Sequence, residues 1–266
     1  MAATIAVLSQ KGGTGKTTAV RTLTDLLRRL DVSVLAVDLD PQGNLSDYLD
    51  IDPDASPTIA DVLAGRASSS EAVHSGVIPA NLGLAEAELM LGGKMGRELT
   101  LKKALDELRS QHDVILIDCP PALGLLTVNA LVAADYALLS AEAQYFALQG
   151  VEQALQVIEL ARETLNPGLE WLGVVLNIAD MRTRHSREAY DSLREHFGEK
   201  LFEPTIRASI AYAESAERAL SILDYRPDLG LDYLLVGDEL LRRLGMDKAR
   251  RRLKPMLNGS RATPPA

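Results

Sequence analysis

The segment QKGGTGKTT, residues 10–18, places two lysines on either side of a glycine-rich turn. Such a loop between a strand and a helix can bind phosphate, because backbone N–H groups and the positive helix end surround the anion. We expect the Lys16 ammonium to reach the β- and γ-phosphates of a nucleotide and the Thr17 hydroxyl to bind magnesium. The candidate nucleotide-binding residues of this loop are Lys11, Gly12, Gly13, Thr14, Gly15, Lys16, Thr17 and Thr18.

Lys11 is unusual for a phosphate loop, since the general pattern G-x-x-x-x-G-K-[ST] has a glycine where this chain has Gln10. From the strand side of the loop, Lys11 is difficult to aim at phosphates bound by its own chain. A second subunit facing the first would let Lys11 reach across and neutralise charge that develops in the partner's active site. The alternative is a glycine-rich turn without a ligand, which the order of strand, loop, Lys-Thr and helix disfavours.

Three aspartates come at the ends of apolar segments. Asp38 and Asp40 end the segment VLAVDLD, and Asp118 ends the segment VILID. Ligands of open α/β sheets bind at the carboxyl ends of the strands. Asp118 has the position of an acid that holds magnesium through a water molecule. Asp38 taken alone is also compatible with a solvated turn.

Short apolar runs alternate with longer amphipathic segments along the rest of the chain. We predict strands at Thr4–Leu8, Ser33–Val37, Val114–Ile117, Tyr136–Leu139 and Trp171–Leu176. We predict helices at Lys16–Leu30, Leu99–Ser110, Leu123–Ala133, Leu148–Leu165, Ser186–Phe197 and Leu231–Leu244. This alternation predicts an α/β fold in which a doubly wound, mostly parallel sheet carries helices on both faces. We expect an irregular insertion at residues 52–97, one domain over residues 1–257, and a flexible tail at residues 258–266.

Composition limits the class of protein. The 266 residues are 47% apolar, which suffices for a buried core. No run approaches the roughly 20 apolar residues of a membrane-spanning helix, and the chain opens without a basic leader. Cys119 is the single cysteine, so that an intramolecular disulfide or a cysteine cluster within one chain is excluded. We therefore expect a soluble cytoplasmic protein.

The motif KGGTGKT resembles the deviant phosphate loop of the ParA/MinD group of P-loop ATPases. The segment DLDPQGN, residues 38–44, resembles the ParA/Soj type of partition ATPase within that group, and AEAQYFALQG at residues 141–150 matches a further family segment, with Ala141 in place of the usual proline. The matches cover about the first 180 residues. The resemblance implies binding of ATP and Mg²⁺, homodimers that sandwich the nucleotide with Lys11 acting in trans, and catalysis by Lys11, Lys16 and Asp40. Asp40 would orient the attacking water, and Thr17, Asp38 and Asp118 would form the metal site.

By the same resemblance, Asn177, Pro204 and Arg207 lie where such proteins contact the adenine, although a cap or turn role fits Asn177 equally well. Members of the family also bind double-stranded DNA without sequence preference and respond to a ParB-like centromere-binding protein. The net charge of −9 argues against such binding, but residues 177–266 hold 16 Lys and Arg against 14 Asp and Glu, whereas residues 1–176 hold 12 against 23. The candidate DNA-binding residues are Arg182, Arg184, Arg187, Arg207 and Arg218.

Two other functions use the same loop. The first is a MinD-like membrane-associated positioning ATPase, because the segment from Arg242 to Lys254 has seven basic residues and one acid. Its apolar face is thin and without an aromatic anchor, so that we expect a packed last helix and no stable membrane association. The second is a metabolic enzyme such as an ATP-dependent amide ligase or a metal-cluster carrier. The favoured reading is a nucleoid-associated ATPase that partitions a chromosome, a plasmid or a protein cluster.

Overall fold

A computed structural model describes residues 2–262 of the chain. The strands are β1 (Ala3–Leu8), β2 (Val34–Asp38), β3 (Val77–Ile78), β4 (Val114–Asp118), β5 (Tyr136–Glu142) and β6 (Glu170–Asn177). The helices are α1 (Lys16–Arg29), α2 (Asn44–Tyr48), α3 (Ile59–Ala64), α4 (Gly83–Leu91), α5 (Thr100–Leu105), α6 (Leu125–Ala133), α7 (Ala147–Thr164), α8 (Arg184–Phe197), α9 (Ala211–Glu217), α10 (Ile222–Tyr225), α11 (Pro227–Arg243) and α12 (Asp247–Ala262). Short 3₁₀ turns lie at Arg97–Leu99, Leu108–Ser110 and Gly198–Lys200.

The strands form one sheet in the order β3-β2-β4-β1-β5-β6, and all the paired strands are parallel. Because helices cover both faces of such a sheet, its strands read as continuous apolar runs. Five of the strands lie where the sequence predicts them. The sixth, β3, lies inside the expected insertion at residues 52–97, which also forms α3 and α4 and is therefore more regular than its composition suggests.

Two hydrophobic cores lie on opposite faces of the sheet, as the alternation along β4 shows. Ile115 and Ile117 belong to the core that residues of α3 to α8 cover. Val114 and Leu116 belong to the core that α1, α11 and α12 cover. The prediction of a doubly wound α/β fold is thereby confirmed.

Helices α1 and α11 meet closely at Gly237. A Cβ atom added there would lie 2.3 Å from Leu26 Cδ2 and 4.0 Å from Leu253 Cδ2. Leu253 of α12 is fully buried, and Met256 and Leu257 pack against the same core. Only a residue without a side chain allows α1, α11 and α12 to pack this closely.

The last helix continues to Ala262, so the expected boundary between domain and tail at residue 258 falls inside α12. Residues 263–266 of the expected tail lie outside the described part of the chain. Within residues 2–262, no helix combines the length and the apolar character that a membrane span requires.

Candidate functional site

The phosphate loop connects β1 to α1 and lies at the carboxyl edge of the sheet. Gly13 and Gly15 both have φ of +78°, in the left-handed region where a side chain is strained. A Cβ atom on Gly15 would also lie 3.4 Å from Asn177 Cγ. Glycines at these positions therefore let the backbone turn tightly into α1, whose first residue is Lys16.

A cavity of about 440 Å³ opens above this loop. It is lined by these residues expected at a nucleotide site: Lys11, Gly12, Gly13, Thr14, Gly15, Lys16, Thr17, Thr18, Asp40, Asn177 and Arg207. Pro204 is not among the described residues of its wall. The wall also contains Tyr48, Tyr212 and Tyr233, which the sequence does not single out because nothing in their local pattern marks them. The volume of this cavity is within the range of sites that bind small molecules.

Lys16 and Asp118 form a buried ion pair at the floor of the site. Lys16 Nζ lies 3.1 Å from Asp118 Oδ1, and the two side chains are 7% and 0% exposed. Burial disfavours the charged form of Lys16, but the Asp118 carboxylate outweighs this effect and raises the pKa of Lys16. Burial also raises the pKa of Asp118, and the Lys16 charge opposes that shift. The pair holds the ammonium of Lys16 at the cavity.

The second oxygen of Asp118, Oδ2, has no hydrogen-bond partner within the described residues. A buried carboxylate oxygen without a donor is unfavourable, and a hydrated cation next to it would remove the penalty. Among residues 2–262 no group of three His, Cys, Asp or Glu side chains could hold a metal ion alone. A hydroxyl, a carboxylate and phosphate oxygens suit Mg²⁺, which usually binds through few protein ligands together with water and substrate phosphate.

Asp38 lies beneath the cavity and not in its wall. Its Oδ1 accepts a hydrogen bond from Asp40 N at 3.1 Å, and its Oδ2 accepts bonds from Ser46 N and Oγ at 2.9 and 2.8 Å. Burial, followed by the nearby charge of Asp118, raises the pKa of Asp38 to about 7. In this arrangement Asp38 holds the turn that carries Asp40, and it has no direct access to the cavity.

Asp40 lies in the cavity wall and is 7% exposed. Its Oδ1 accepts a hydrogen bond from Gln42 N at 3.0 Å, which fixes the side chain in the turn after β2. A carboxylate held in this way can accept a proton or a hydrogen bond from a water molecule in the cavity.

Lys11 lines the same cavity from its outer rim and is exposed. Its Nζ lies 5.6 Å from the centroid of the Phe146 ring, which is within the range of a cation–π contact. Phe146 is itself 57% exposed and the neighbouring Tyr145 is 79% exposed. Lys11 thus lies on the surface beside two exposed aromatic rings, whereas Lys16, the other lysine of the loop, is buried.

The three arginines at the start of α8 are exposed but already paired. Arg182 binds Asp180 at 2.8 Å with 90% of its side chain exposed, and Arg184 binds Glu188 at 2.6 Å with 82% exposed. Arg187 donates to the backbone carbonyls of Met181 and Arg182. Hydrogen bonds from Arg182 lower the pKa of Asp180 to about 2, so that this pair is charged at neutral pH.

The remaining two arginines of the expected DNA surface contact α11 and α10, respectively. Arg207 binds Asp232 at 2.8 Å and also lines the nucleotide cavity. Arg218 lies over the Tyr225 ring with its guanidinium carbon 5.1 Å from the centroid. Arg207 is therefore placed as a part of the cavity wall, and Arg218 as a surface group.

One residue of the site could have been found in the sequence and was missed. Ser140 is a polar residue within the apolar strand β5, and its Oγ donates to the Thr14 carbonyl of the phosphate loop at 2.8 Å. A polar side chain inside a buried strand needs a hydrogen-bond partner, which is a signal that can be read from sequence.

A phosphate loop at the carboxyl edge of a parallel sheet, with Lys16 and Thr17 in the wall of a cavity and Asp118 paired with Lys16, defines the chain as a P-loop ATPase. A family model described as AAA domain matches residues 2–171. The sporulation initiation inhibitor protein Soj of Bacillus subtilis is 36% identical over 230 residues, which are 84% of this chain and 91% of that protein. The chromosome partitioning protein ParA of Myxococcus xanthus is 35% identical over 258 residues, or 94% and 91%. The chain belongs to the AAA domain family and, within it, to the ParA/Soj-type partitioning ATPases.

Solved structures of three other proteins are similar to this chain. Cobyrinic acid a,c-diamide synthase from Mycobacterium smegmatis with ADP and magnesium has a TM-score of 0.74 and 38% identity, over 82% of this chain and 93% of that one. An alanine variant of McdA from Cyanothece with ATP has a TM-score of 0.81 and 27% identity, over 92% and 96%. MinD from Pyrococcus horikoshii with Mg-ADP has a TM-score of 0.77 and 26% identity, over 92% and 98%.

Proposed function

We propose that this ATPase binds ATP and Mg²⁺ in the cavity, forms a homodimer in the ATP state, and then binds double-stranded DNA without sequence preference. Hydrolysis, stimulated by a ParB-like centromere-binding protein, releases it. The cycle places the protein on the nucleoid in the cytoplasm. Support comes from the Soj and ParA relatives and from the placement of Lys11 at the rim of the cavity.

The residues present fit the proposed ligands. The triphosphate would lie against the amides of Gly13 to Thr18 at the N-terminal end of α1, with Lys16 beside it. Magnesium would be held by Thr17 and, through water, by Asp118, whose Oδ2 lacks a partner within residues 2–262. Asp38 would support the metal site through the turn that it fixes. When bound, the ion neutralises phosphate charge.

In hydrolysis, Asp40 orients the attacking water by accepting its hydrogen bond. Lys16 and the amides of the phosphate loop stabilise the charge on the transferred phosphoryl group, because they are fixed before the reaction begins. Lys11 of the partner subunit supplies a further positive charge to the same group, as an arginine finger does.

The exposure of Lys11 at the rim of the cavity is the observation that carries this proposal. A lysine that served its own nucleotide would be expected to share the buried position of Lys16. Lys11 instead lies on the outer surface beside Tyr145 and Phe146, which are large and exposed. Exposed aromatic rings next to an exposed cation are typical of protein interfaces.

DNA binding is proposed for the exposed arginines, namely Arg182, Arg184, Arg187, Arg207 and Arg218. Arg182 and Arg184 have carboxylate partners two and four residues away on the same chain, and Arg187 donates to backbone carbonyls. Exposed ion pairs contribute little net stability, so DNA phosphates can replace the carboxylates at small cost. Each phosphate contact is weak and salt-sensitive, and two surfaces joined in a dimer bind more tightly than one.

In the proposed function the last helix, α12, packs on the protein, whereas in a MinD-like membrane function it would bind lipid. Leu253 of α12 is fully buried, and Met256 and Leu257 pack on the core of the protein. An interfacial helix needs its apolar face free for lipid. In α12 this face is used for packing, and the exposed part is basic.

Size-exclusion chromatography with light scattering tests the role of Lys11. The native chain is expected to be monomeric with ADP and dimeric with a non-hydrolysable ATP analogue, and only the dimer should be retained on DNA. Lys11→Ala should stay monomeric with both nucleotides and should still bind them, because Lys16 and the loop are intact. Lys103→Ala, which removes an exposed lysine of α5, is the matched control and should behave as the native chain does.

Dimerisation of Lys11→Ala at the native level, or a native chain that remains monomeric with the analogue, would refute the proposal. An amide ligase would need a second small substrate for ATP turnover. ATP turnover that DNA stimulates in the absence of such a substrate would therefore support the proposed function over an amide-ligase function. Sedimentation with anionic vesicles in place of DNA would instead support the membrane alternative.

A further inference from the structure

Ser140 connects the phosphate loop to Asn177. It is 6% exposed, its Oγ donates to the Thr14 carbonyl at 2.8 Å, and it accepts a hydrogen bond from Asn177 Nδ2 at 2.6 Å. In the register of β5 and β6, Ser140 pairs with Val175 while Asn177 pairs two residues further along. Ser140 and Asn177 are therefore diagonal neighbours on one face of the sheet, within reach of each other.

The number of protons in this chain of hydrogen bonds fixes the orientation of the Asn177 amide. A serine hydroxyl has one proton, and the Thr14 carbonyl can only accept. The proton of Ser140 therefore goes to Thr14, and Ser140 can offer Asn177 only its lone pairs. The amide must present its NH₂ group to Ser140 and turn its oxygen away.

The Asn177 oxygen is left without a partner by this arrangement. Asn177 is 1% exposed, and no donor within residues 2–262 binds its Oδ1. Asn177 lies in the wall of the nucleotide cavity and packs against Gly15 at the N-terminal end of α1. A buried amide oxygen without a donor is unfavourable, so that a ligand with an N–H group at this place gains binding free energy by satisfying it.

We propose that Ser140 is a positioning residue that fixes the Asn177 amide with its oxygen toward the base, and so selects a 6-aminopurine over a 6-oxopurine. The amino group of adenine donates a hydrogen bond, whereas the carbonyl oxygen of guanine at the same ring position only accepts and would meet a second acceptor. This inference rests on the proposed binding of ATP in this cavity. Loss of the Ser140 hydroxyl frees the amide to rotate and present its NH₂ group instead.

Competition binding against a fluorescent ADP analogue, with ATP and GTP in the presence of Mg²⁺, tests this role on the full chain. In Ser140→Ala the preference for ATP over GTP should fall about tenfold, since one oriented hydrogen bond and one avoided clash are lost. Ser140→Thr keeps the hydroxyl and should restore the preference. Ser69→Ala removes another buried serine, whose Oγ binds Glu107 away from the cavity, and should lose stability without changing the preference.

An unchanged ratio of ATP to GTP affinity in Ser140→Ala would overturn the inference. So would a preference that Ser140→Thr fails to restore, because the residue would then act through packing alone. These measurements require neither a dimer nor DNA, so a failed dimerisation experiment leaves them interpretable. Failure of the native chain to bind any nucleotide would instead refute the proposed function.

Discussion

Removal of the Lys16 ammonium would leave Asp118 as a buried charge without its counter-ion. The two charged atoms are 3.1 Å apart and almost fully buried. With an effective dielectric constant of about 20, their attraction is roughly 5 kcal/mol. Loss of one member of such a pair costs about 3–5 kcal/mol. We therefore expect Lys16→Met, which keeps most of the side-chain volume, to lower the free energy of unfolding by about 3–5 kcal/mol in nucleotide-free protein at about pH 8.

The effect should depend on pH in a defined direction. Burial raises the pKa of Asp118, and replacement of Lys16 removes the charge that most opposes that rise. A carboxyl group whose folded pKa is raised binds protons more readily in the folded state, so its penalty decreases as pH falls. Lys16→Met should therefore recover stability relative to the native chain as the pH is lowered from about 8.

Urea unfolding followed by circular dichroism measures both effects. Lys16→Met with Asp118→Asn is the control, because it removes the charge that the single variant leaves unpaired, and it should regain most of the lost stability. A loss below about 1 kcal/mol in the single variant, the value of an exposed pair, would show that the pair is not buried as described. A double variant less stable than the single one would also contradict the explanation.

Three further predictions concern other parts of the site. Burial raises the pKa of Asp38 to about 7. The free energy of unfolding of the native chain should therefore fall, relative to that of Asp38→Asn, by about 2 kcal/mol between about pH 5.5 and pH 8. Parallel curves of unfolding free energy against pH for the two proteins would contradict this. Asp40→Ala should lower kcat for ATP about a hundredfold or more, with ATP affinity nearly unchanged, and native turnover would remove Asp40 from its role. Joint replacement of Arg184 and Arg218 by alanine should reduce the slope of log affinity for DNA against log salt by about 2, whereas Arg66→Ala, an exposed arginine near α3, should leave the slope unchanged.

Strong periodic signals in the sequence located most of the fold. The apolar run of β1 followed by the glycine loop and α1 has a single plausible arrangement, and Asp118 follows from the run that forms β4. The two residues of β3, Val77 and Ile78, are too few to show a period of their own, and they form a strand because the edge of β2 is available for pairing. Periodicity therefore finds the strands of the centre of the sheet and misses its short edge strand.

The details of the site depend on contacts between distant residues, which local patterns do not contain. Asp38 and Asp40 look equivalent in the segment VLAVDLD, but Ser46 holds one of them beneath the cavity while the other lines it. Likewise, the link from Ser140 to Asn177 exists only because β5 and β6 pair in one register. Sequence spacing identified the candidate residues, and the pairing of the strands decided which of them line the cavity.

The close contact of α1 and α11 at Gly237 connects the packing of these helices to the wall of the nucleotide cavity. Leu26 of α1 fills the space that any side chain at 237 would need, and α11 also carries Tyr233 of the cavity wall and Asp232, which binds Arg207. A methyl group at position 237 would push α1, which begins at the phosphate loop, away from α11, which carries Tyr233 of the cavity wall. We therefore expect a substitution at Gly237, which is not among the described residues of the cavity wall, to change the shape of the cavity.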